Sequence, residues 1–172
     1  NNISQALVEL PWNKNCYQLN SDESIIDCLK DIRFHLKKQP QIYKYEKIVD
    51  MIFDQCGMKI VSSSNHPLDK KMNWDQVSEL HHNKLFTVGG HSHNHVSLGL
   101  VESSVMKNEI DTSIKLLKEK GNISSHHYSY PEGQRHDFNE NVIEKLKSKD
   151  IKCCPSAIDG LNELTIGSMF HL

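Results

Sequence analysis

Helix and strand patterns alternate along this chain from residue 73 onward, and this alternation constrains the fold more than any other feature of the sequence. The strand patterns cover 85–88, 126–130, 151–154 and 168–172, and the helix patterns follow Asn73 and cover 101–120 and 137–149. Such alternation with short connections predicts an α/β fold with a parallel sheet, either open or closed into a barrel. In these folds the functional groups lie at the carboxyl ends of strands.

The part of the chain before residue 70 shows mainly helical patterns. Residues 3–10 form a strand pattern that Pro11 ends. Amphipathic helix patterns follow over 22–38 and 42–55. We expect irregular chain over 58–72, where serine and proline interrupt the periodicity.

The charge balance and the cysteine pattern exclude several classes of protein. The chain has 20 Lys and Arg against 22 Asp and Glu, whereas nucleic-acid binders normally carry a basic excess or stripe. No apolar run approaches the roughly 20 residues that span a membrane. We therefore expect neither a nucleic-acid partner nor a membrane span. Five cysteines without a Cys-x-x-Cys pair predict free thiols, which are typical of a reducing compartment and indicate a cytoplasmic location.

A cluster of histidines follows the strand pattern at 85–88 directly. Residues 89–95 are Gly-Gly-His-Ser-His-Asn-His. If the chain turns helically after the glycines, His91 and His95 share a face and His93 points away; if the strand continues, all three project to one side. The glycines favour the turn and allow the backbone to approach a ligand closely. Two imidazoles at i and i+4 can chelate one divalent ion, although a histidine-rich polar loop without a ligand is the alternative interpretation.

Three stretches of the sequence resemble one known family. Residues 91–98, His-Ser-His-Asn-His-Val-Ser-Leu, resemble the second motif of polysaccharide deacetylases, also called carbohydrate esterase family four or the NodB homology domain. Residues 72–77 resemble the entry to that motif in one branch of the family, and Glu109 in the downstream helix pattern matches the same branch. Residues 128–133, Tyr-Ser-Tyr-Pro-Glu-Gly, resemble the third motif.

The resemblance implies a fold and a domain organisation. The fold would be α/β, a partial or distorted (β/α) barrel of the polysaccharide deacetylase type. Residues 1–172 would be a single, incomplete domain of this kind. Within it, 20–70 would form a mainly helical insertion, and 71–172 the core segment that carries the second and third motifs.

The resemblance also implies an activity, the hydrolytic removal of an N-linked or O-linked acetyl group from a sugar in a poly- or oligosaccharide. In this family an Asp and two His residues hold one divalent metal ion, often zinc, and the matching histidines here are His91 and His95. The ion polarises the acetyl carbonyl and activates water, and a carboxylate base accepts the proton. His93 and Asn94 occupy unspecified positions of the motif and receive no role.

Further residues receive substrate or oxyanion roles from the same resemblance. The backbone amide of Glu132, in the stretch Tyr130, Pro131, Glu132 and Gly133, would stabilise the developing oxyanion. Ser92 would orient the loop or a ligand. The family usually has an aromatic residue where Glu132 stands, and an inward carboxylate would disfavour an anion. A purely structural role for the tyrosine, proline and glycine is the alternative interpretation.

The family's first motif, Thr-Phe-Asp-Asp-Gly, has no match in this chain. That motif supplies the third metal ligand and the base, so the catalytic residues stay unknown and we expect upstream residues to carry them. The nearest stretch, Phe-Asp-Gln-Cys-Gly at 53–57, lies on a predicted helix and lacks the second Asp. His171 faintly resembles a later motif that supplies a general acid, although an incidental histidine in a final strand is the preferred interpretation.

Two other functions compete with the deacetylase interpretation. One is a catalytically inactive relative that binds a glycan or a metal ion, which a first-motif Asp pair would exclude. The other is a histidine-triad nucleotide hydrolase, whose His-x-His-x-His motif needs apolar intervening residues; Ser92 and Asn94 are polar and argue against it.

Overall fold

The computed structural model describes residues 6–38, 45–59, 66–162 and 169–172. The chain divides into two compact units, residues 1–70 and 71–172. The first unit contains β1 (Leu7–Glu9), β2 (Cys16–Gln18), α1 (Asp22–Lys38), α2 (Tyr45–Gln55) and a short 3-10 turn (Pro67–Asp69). The second contains α3 (Trp74–His82), α4 (Ser103–Gly121) and α5 (Glu140–Ser148).

The first unit is an antiparallel hairpin packed with helices. Strands β1 and β2 pair with Val8 opposite Tyr17, and Val8, Leu10 and Cys28 form a small buried cluster. The predicted helix over 22–38 is confirmed, and so is the second helix over 45–55. The predicted strand is confirmed only over 7–9. Residues 3–5 and 42–44 lie outside the described part of the chain.

One half-buried carboxylate joins the hairpin to α1. Asp31 accepts hydrogen bonds from Trp12 Nε1 at 3.1 Å, Asn13 Nδ2 at 2.8 Å and the Tyr17 hydroxyl at 2.7 Å. Burial alone would raise the pKa of Asp31, but these hydrogen bonds outweigh it and hold the pKa below 3.8. The hydrogen bonds to Asp31 therefore stabilise the folded first unit when this carboxylate is ionised.

The second unit has one apolar core between α4, α5 and the segments beside them. Its buried residues are Leu98, Met106, Ile110, Tyr128, Tyr130, Phe138, Val142, Ile143, Leu146, Ile151, Cys154 and Phe170. The helix ends follow the local sequence. Asn73 and Gln76 form a reciprocal capping box at the start of α3. Asn122, with φ 53°, ends α4 in the left-handed conformation, and Asn139 caps α5.

The strands predicted for the second unit are present only as isolated bridges. Gly90 pairs in parallel with Tyr128, and His127 pairs in parallel with Cys153. The parallel direction agrees with the prediction, but the extended strands at 85–88, 126–130 and 151–154 are not formed. Met169 and Phe170 form a 3-10 turn instead of a strand, and residue 168 lies outside the described residues.

Exposure explains why the first of these strands is missing. Leu85 is 85% exposed and Phe86 is 52% exposed, so the apolar stretch before the glycines packs on neither face in the way that a buried strand requires. The chain thus has a mixed α/β structure, and within the described ranges the sheet consists of β1 and β2 alone. A barrel is not shown. No helix of the described part is long and apolar enough to span a membrane.

Candidate functional site

The histidine loop, residues 91–95, starts where two parallel segments meet. Gly90 N donates to His127 O at 3.1 Å, and Ser129 N donates to Gly90 O at 2.9 Å. A Cβ on Gly90 would lie 2.4 Å from the Tyr128 ring, and one on Gly89 would lie 2.6 Å from His127 O. Both positions therefore require glycine, because the neighbouring segment, rather than a ligand, approaches the backbone there.

The loop is neither a helical turn nor a continued strand. Ser92 has φ 56° and His95 has φ 55°, so two residues with side chains adopt the left-handed conformation. Each such residue costs about 1–3 kcal/mol and persists only where surrounding contacts impose it. The resulting bend places the rings of His91 and His95 with their centroids 4.9 Å apart at an interplanar angle of 65°. The pair that the sequence assigned to one ion thus lies together.

Hydrogen bonds from two neighbouring segments impose this bend. Ser92 N donates to the Tyr128 hydroxyl at 2.7 Å. His93 N and Asn94 N both donate to Glu109 Oε2, at 2.8 and 2.7 Å, and Asn94 Nδ2 donates to Glu109 Oε1 at 2.7 Å. Glu109 lies on α4 and is only 3% exposed. The sequence motifs place it in the downstream helix without a role at the loop. The sequence signal that indicates such a role for Glu109 is an acidic residue beside Ile110 on an otherwise apolar helix face.

The Tyr128 hydroxyl continues into a short chain of hydrogen bonds. Ser113 Oγ donates to Ile110 O at 2.9 Å, and its distance to the Tyr128 hydroxyl is 3.2 Å. Since the tyrosine oxygen accepts from Ser92 N and the serine donates to a carbonyl, the tyrosine proton points to Ser113. Burial raises the pKa of Tyr128 to about 12, so the phenol stays protonated and this arrangement holds at neutral pH.

Ser129 orients the ring of His91. His91 Nδ1 lies 3.0 Å from Ser129 O and 2.8 Å from Ser129 Oγ. A carbonyl oxygen only accepts, so a hydrogen bond to Ser129 O requires the proton on Nδ1, and Nε2 of the neutral ring then keeps its lone pair. A carbonyl partner on one ring nitrogen is the usual arrangement of metal-binding histidines, since it fixes the tautomer and the ring orientation. Both His91 and His95 are exposed.

The residues of the third motif contribute mainly to the core. Tyr130 is buried, donates its hydroxyl to Phe170 O at 3.1 Å and stacks on Phe138 at 4.1 Å between ring centroids. Pro131 is also buried. These contacts agree with the structural alternative for the Tyr130 side chain, while a substrate role for this stretch stays a prediction.

The predicted oxyanion position lies in the turn after Pro131. Glu132 is exposed with φ 62°, and Gly133, with φ 67°, donates its N–H to Pro131 O at 2.7 Å. A Cβ on Gly133 would meet Ala157 N at 2.7 Å, so this glycine is required by both its conformation and its neighbour.

The remaining candidate residues differ in their burial and contacts. Ser92 Oγ is buried and has no hydrogen-bond partner among the described residues, so its expected orienting role stays a prediction. The ring of His171 lies 5.6 Å from that of Phe138. Asp54 is an exposed residue of α2. Within the ranges that the structure describes, no group of three or more His, Cys, Asp or Glu side chains is arranged to hold a metal ion.

Comparisons with known proteins identify the family. The family model described as polysaccharide deacetylase matches residues 41–154. Comparison with curated proteins finds no match. Among solved structures, the chain is similar to the Streptococcus pyogenes deacetylase PplD in complex with acetate, with a TM-score of 0.48 and 17% identity over 66% of this chain and 51% of that one. The chain thus spans about half the length of that deacetylase. Because the family match covers more than half of the 172 residues, the chain belongs to the polysaccharide deacetylase family.

Proposed function

We propose that this chain is part of a metal-dependent deacetylase that hydrolyses an N-linked or O-linked acetyl group on a sugar of a poly- or oligosaccharide. Family membership supports deacetylation of carbohydrate in general. The observation that carries the metal-dependent form of the proposal is the His91–His95 pair. The centroids of the two rings lie 4.9 Å apart, and Ser129 contacts the His91 ring at Nδ1 rather than at Nε2.

The donor chemistry of this pair fits a divalent ion. Two neutral imidazoles suit zinc, and an open catalytic site needs three protein ligands. His91 and His95 would be two of them. The third ligand and the base are proposed to come from a first motif outside these 172 residues. When bound, the ion would supply Lewis acidity to the acetyl carbonyl and an acidified water.

The chain's own residues would then bind and orient the sugar. Ser129 contacts His91 at Nδ1, and Glu132 lies exposed in the turn that follows Pro131. We assign the Glu132 amide to the developing oxyanion and the stretch from Tyr130 to Gly133 to the acetyl-bearing sugar. Ser92 would keep the loop in register for that contact.

The remaining parts of the proposal concern the whole protein. The parallel bridges at Gly90 and His127 are consistent with a distorted (β/α) barrel completed by further strands. All five cysteines are free thiols, and Cys28 and Cys154 are buried, which supports a reducing, cytoplasmic setting. The alternative is an inactive relative that binds glycan or metal; it is favoured by the lack of a third ligand within the described ranges.

Zinc titration with a matched pair of double variants tests the metal site. His81 and His82 on α3 are a second pair of neighbouring rings, 5.7 Å apart at 80°, and they serve as the control. All proteins are tested at their full natural length, so that the proposed third ligand is present. We expect near-stoichiometric zinc in the parent protein and in His81→Ala/His82→Ala, and loss of zinc in His91→Ala/His95→Ala. Equal zinc binding by both double variants, or none by the parent protein, would refute the metal site.

Acetate release separates the enzyme from the inactive relative. The substrates are N-acetylated oligosaccharides and O-acetylated analogues, and the protein is assayed at its full natural length. Zinc-dependent acetate release that disappears in His91→Ala/His95→Ala supports the enzyme. Zinc binding without acetate release from any of these substrates supports the inactive relative.

A further inference from the structure

Glu109 makes three short hydrogen bonds, and all three go to the histidine loop. Its carboxylate lies on the buried side of α4 with 3% of the residue exposed. Both oxygens are used: Oε2 accepts from His93 N and Asn94 N, and Oε1 accepts from Asn94 Nδ2. Each partner donates, so the group acts as an acceptor at every contact, as an ionised carboxylate does.

We propose that Glu109 is the positioning residue that fixes the backbone of the histidine loop and thereby the His91–His95 pair. The claim about the loop stands on the geometry alone, and the claim about the metal ion rests on the proposed function. Its hydrogen bonds go to His93 and Asn94, so Glu109 acts on the pair through the two residues that precede His95.

The position of these bonds within the loop explains the effect. His93 and Asn94 lie between Ser92 and His95, the two residues with positive φ. A carboxylate that accepts from both intervening amides keeps these two peptide groups turned inward, and the chain then leaves in the direction that returns His95 to His91. Because the carboxylate belongs to a 19-residue helix, the loop takes its shape from a rigid element.

No other residue type reproduces this set of contacts. A glutamine in place of Glu109 would keep one acceptor oxygen and replace the other by a donor, which would face Asn94 Nδ2 unless the asparagine amide turned over. An aspartate at the same position is one methylene shorter and would fall short of the loop. An alanine there would leave both backbone amides without their acceptor.

Variants at Glu109 test the proposal with two readouts besides activity. The variants are Glu109→Ala, Glu109→Gln as the conservative replacement, and Glu119→Ala as the control. Glu119 is an exposed residue of the same helix that pairs with Lys115 at 4.0 Å. The readouts are the zinc dissociation constant and the rate of amide hydrogen exchange at His93 and Asn94. The melting temperature of each variant is measured as well, so that a general loss of stability can be recognised.

We expect Glu109→Ala to bind zinc about 10- to 100-fold more weakly, which is the usual loss when a residue that supports metal ligands is removed. Exchange at His93 and Asn94 should accelerate at least about tenfold while α4 amides stay protected. Glu109→Gln should recover part of both properties, and Glu119→Ala should change neither.

Each outcome decides the proposal. A folded Glu109→Ala protein with parental exchange at His93 and Asn94 and parental zinc affinity overturns it. A lower melting temperature with unchanged zinc affinity also overturns it, because that result describes a residue that only stabilises the fold. If Glu109→Ala does not fold, Glu109→Gln decides by the same measurements. If the parent protein binds no zinc, the proposed metal site fails, and the exchange rates alone decide the role of Glu109.

Discussion

Removal of one hydroxyl group, in Tyr128→Phe, should destabilise the second unit by an amount that follows from its contacts. Tyr128 is 2% exposed, and its hydroxyl accepts from Ser92 N at 2.7 Å and lies 3.2 Å from Ser113 Oγ. A phenylalanine fills the same space and leaves Ser92 N–H without its acceptor. An unsatisfied, partly buried N–H costs about 1–3 kcal/mol. At about 2–4 °C per kcal/mol for a chain of this size, the melting temperature should fall by several degrees.

Ser113→Ala is the matched comparison, since it removes the other end of the same hydrogen-bond chain. The Tyr128 hydroxyl then still accepts from Ser92 N, but its own proton loses its acceptor, so we expect a loss in the same range of about 1–3 kcal/mol. The two variants separate the two contacts, because only Tyr128→Phe removes the acceptor of Ser92 N.

Urea unfolding followed by tryptophan fluorescence measures both values. The chain has two tryptophans. Trp74 belongs to the second unit, so a Trp12→Phe background leaves it as the reporter for all variants. A Tyr128→Phe protein that unfolds at the same urea concentration as the background protein would refute the reasoning.

Two further predictions concern a close approach and a carboxylate. Gly90→Ala should lower the free energy of unfolding by about 1–3 kcal/mol, because its Cβ would lie 2.4 Å from the buried Tyr128 ring. Gly160→Ala is the control and should be neutral, since nothing lies within 4 Å of its Cβ. Equal unfolding midpoints of the two variants in urea would contradict this prediction. The pKa of Asp31 is lowered below 3.8 in the folded protein, so its contribution is fully present above pH 3.8 and is lost as the pH falls through the folded value. Asp31→Asn should have a lower free energy of unfolding than the parent protein at pH 6, and the difference between the two proteins should become smaller below pH 3.8. If unfolding followed by Trp12 fluorescence gives the same difference at every pH, the prediction is wrong.

Helices were predictable from the sequence because their signals are local. The acidic first turn of α1, the apolar spacing that follows it and the cap at Asn73 are all encoded within a few residues of each helix end. The structure gives α1 the same bounds, 22–38, that the pattern indicates. It starts α4 at Ser103 rather than at residue 101, since Glu102 is the N-cap residue.

Strands were predicted in the correct direction but with the wrong length. Apolar stretches such as 85–88 indicate burial, yet a strand forms only where a partner offers a matching row of backbone groups. Gly90 meets Tyr128 at one bridge and the pairing goes no further. Within the described residues, the stretch 85–88 therefore does not form a ladder of backbone hydrogen bonds, although its residues favour a strand.

The candidate site was only partly predictable for a related reason. The spacing of His91 and His95 identifies two ligands, but the bend that brings their rings together depends on left-handed residues at Ser92 and His95. Residues other than glycine adopt that conformation in only a few per cent of cases. It is imposed by Glu109 and by the Tyr128 hydroxyl, which are contacts that no pattern within the loop itself encodes.

The sequence distance between the loop and its supports has a consequence for the order of folding. Glu109 lies 15–16 residues after the amides that it holds, Tyr128 lies 36 residues after Ser92, and Ser129 lies 38 residues after His91. Contacts over such separations form only after the intervening chain has closed into a loop. During synthesis the two histidines therefore leave the ribosome well before the residues that arrange them, and the ligand pair is assembled only once the chain has been made beyond residue 129.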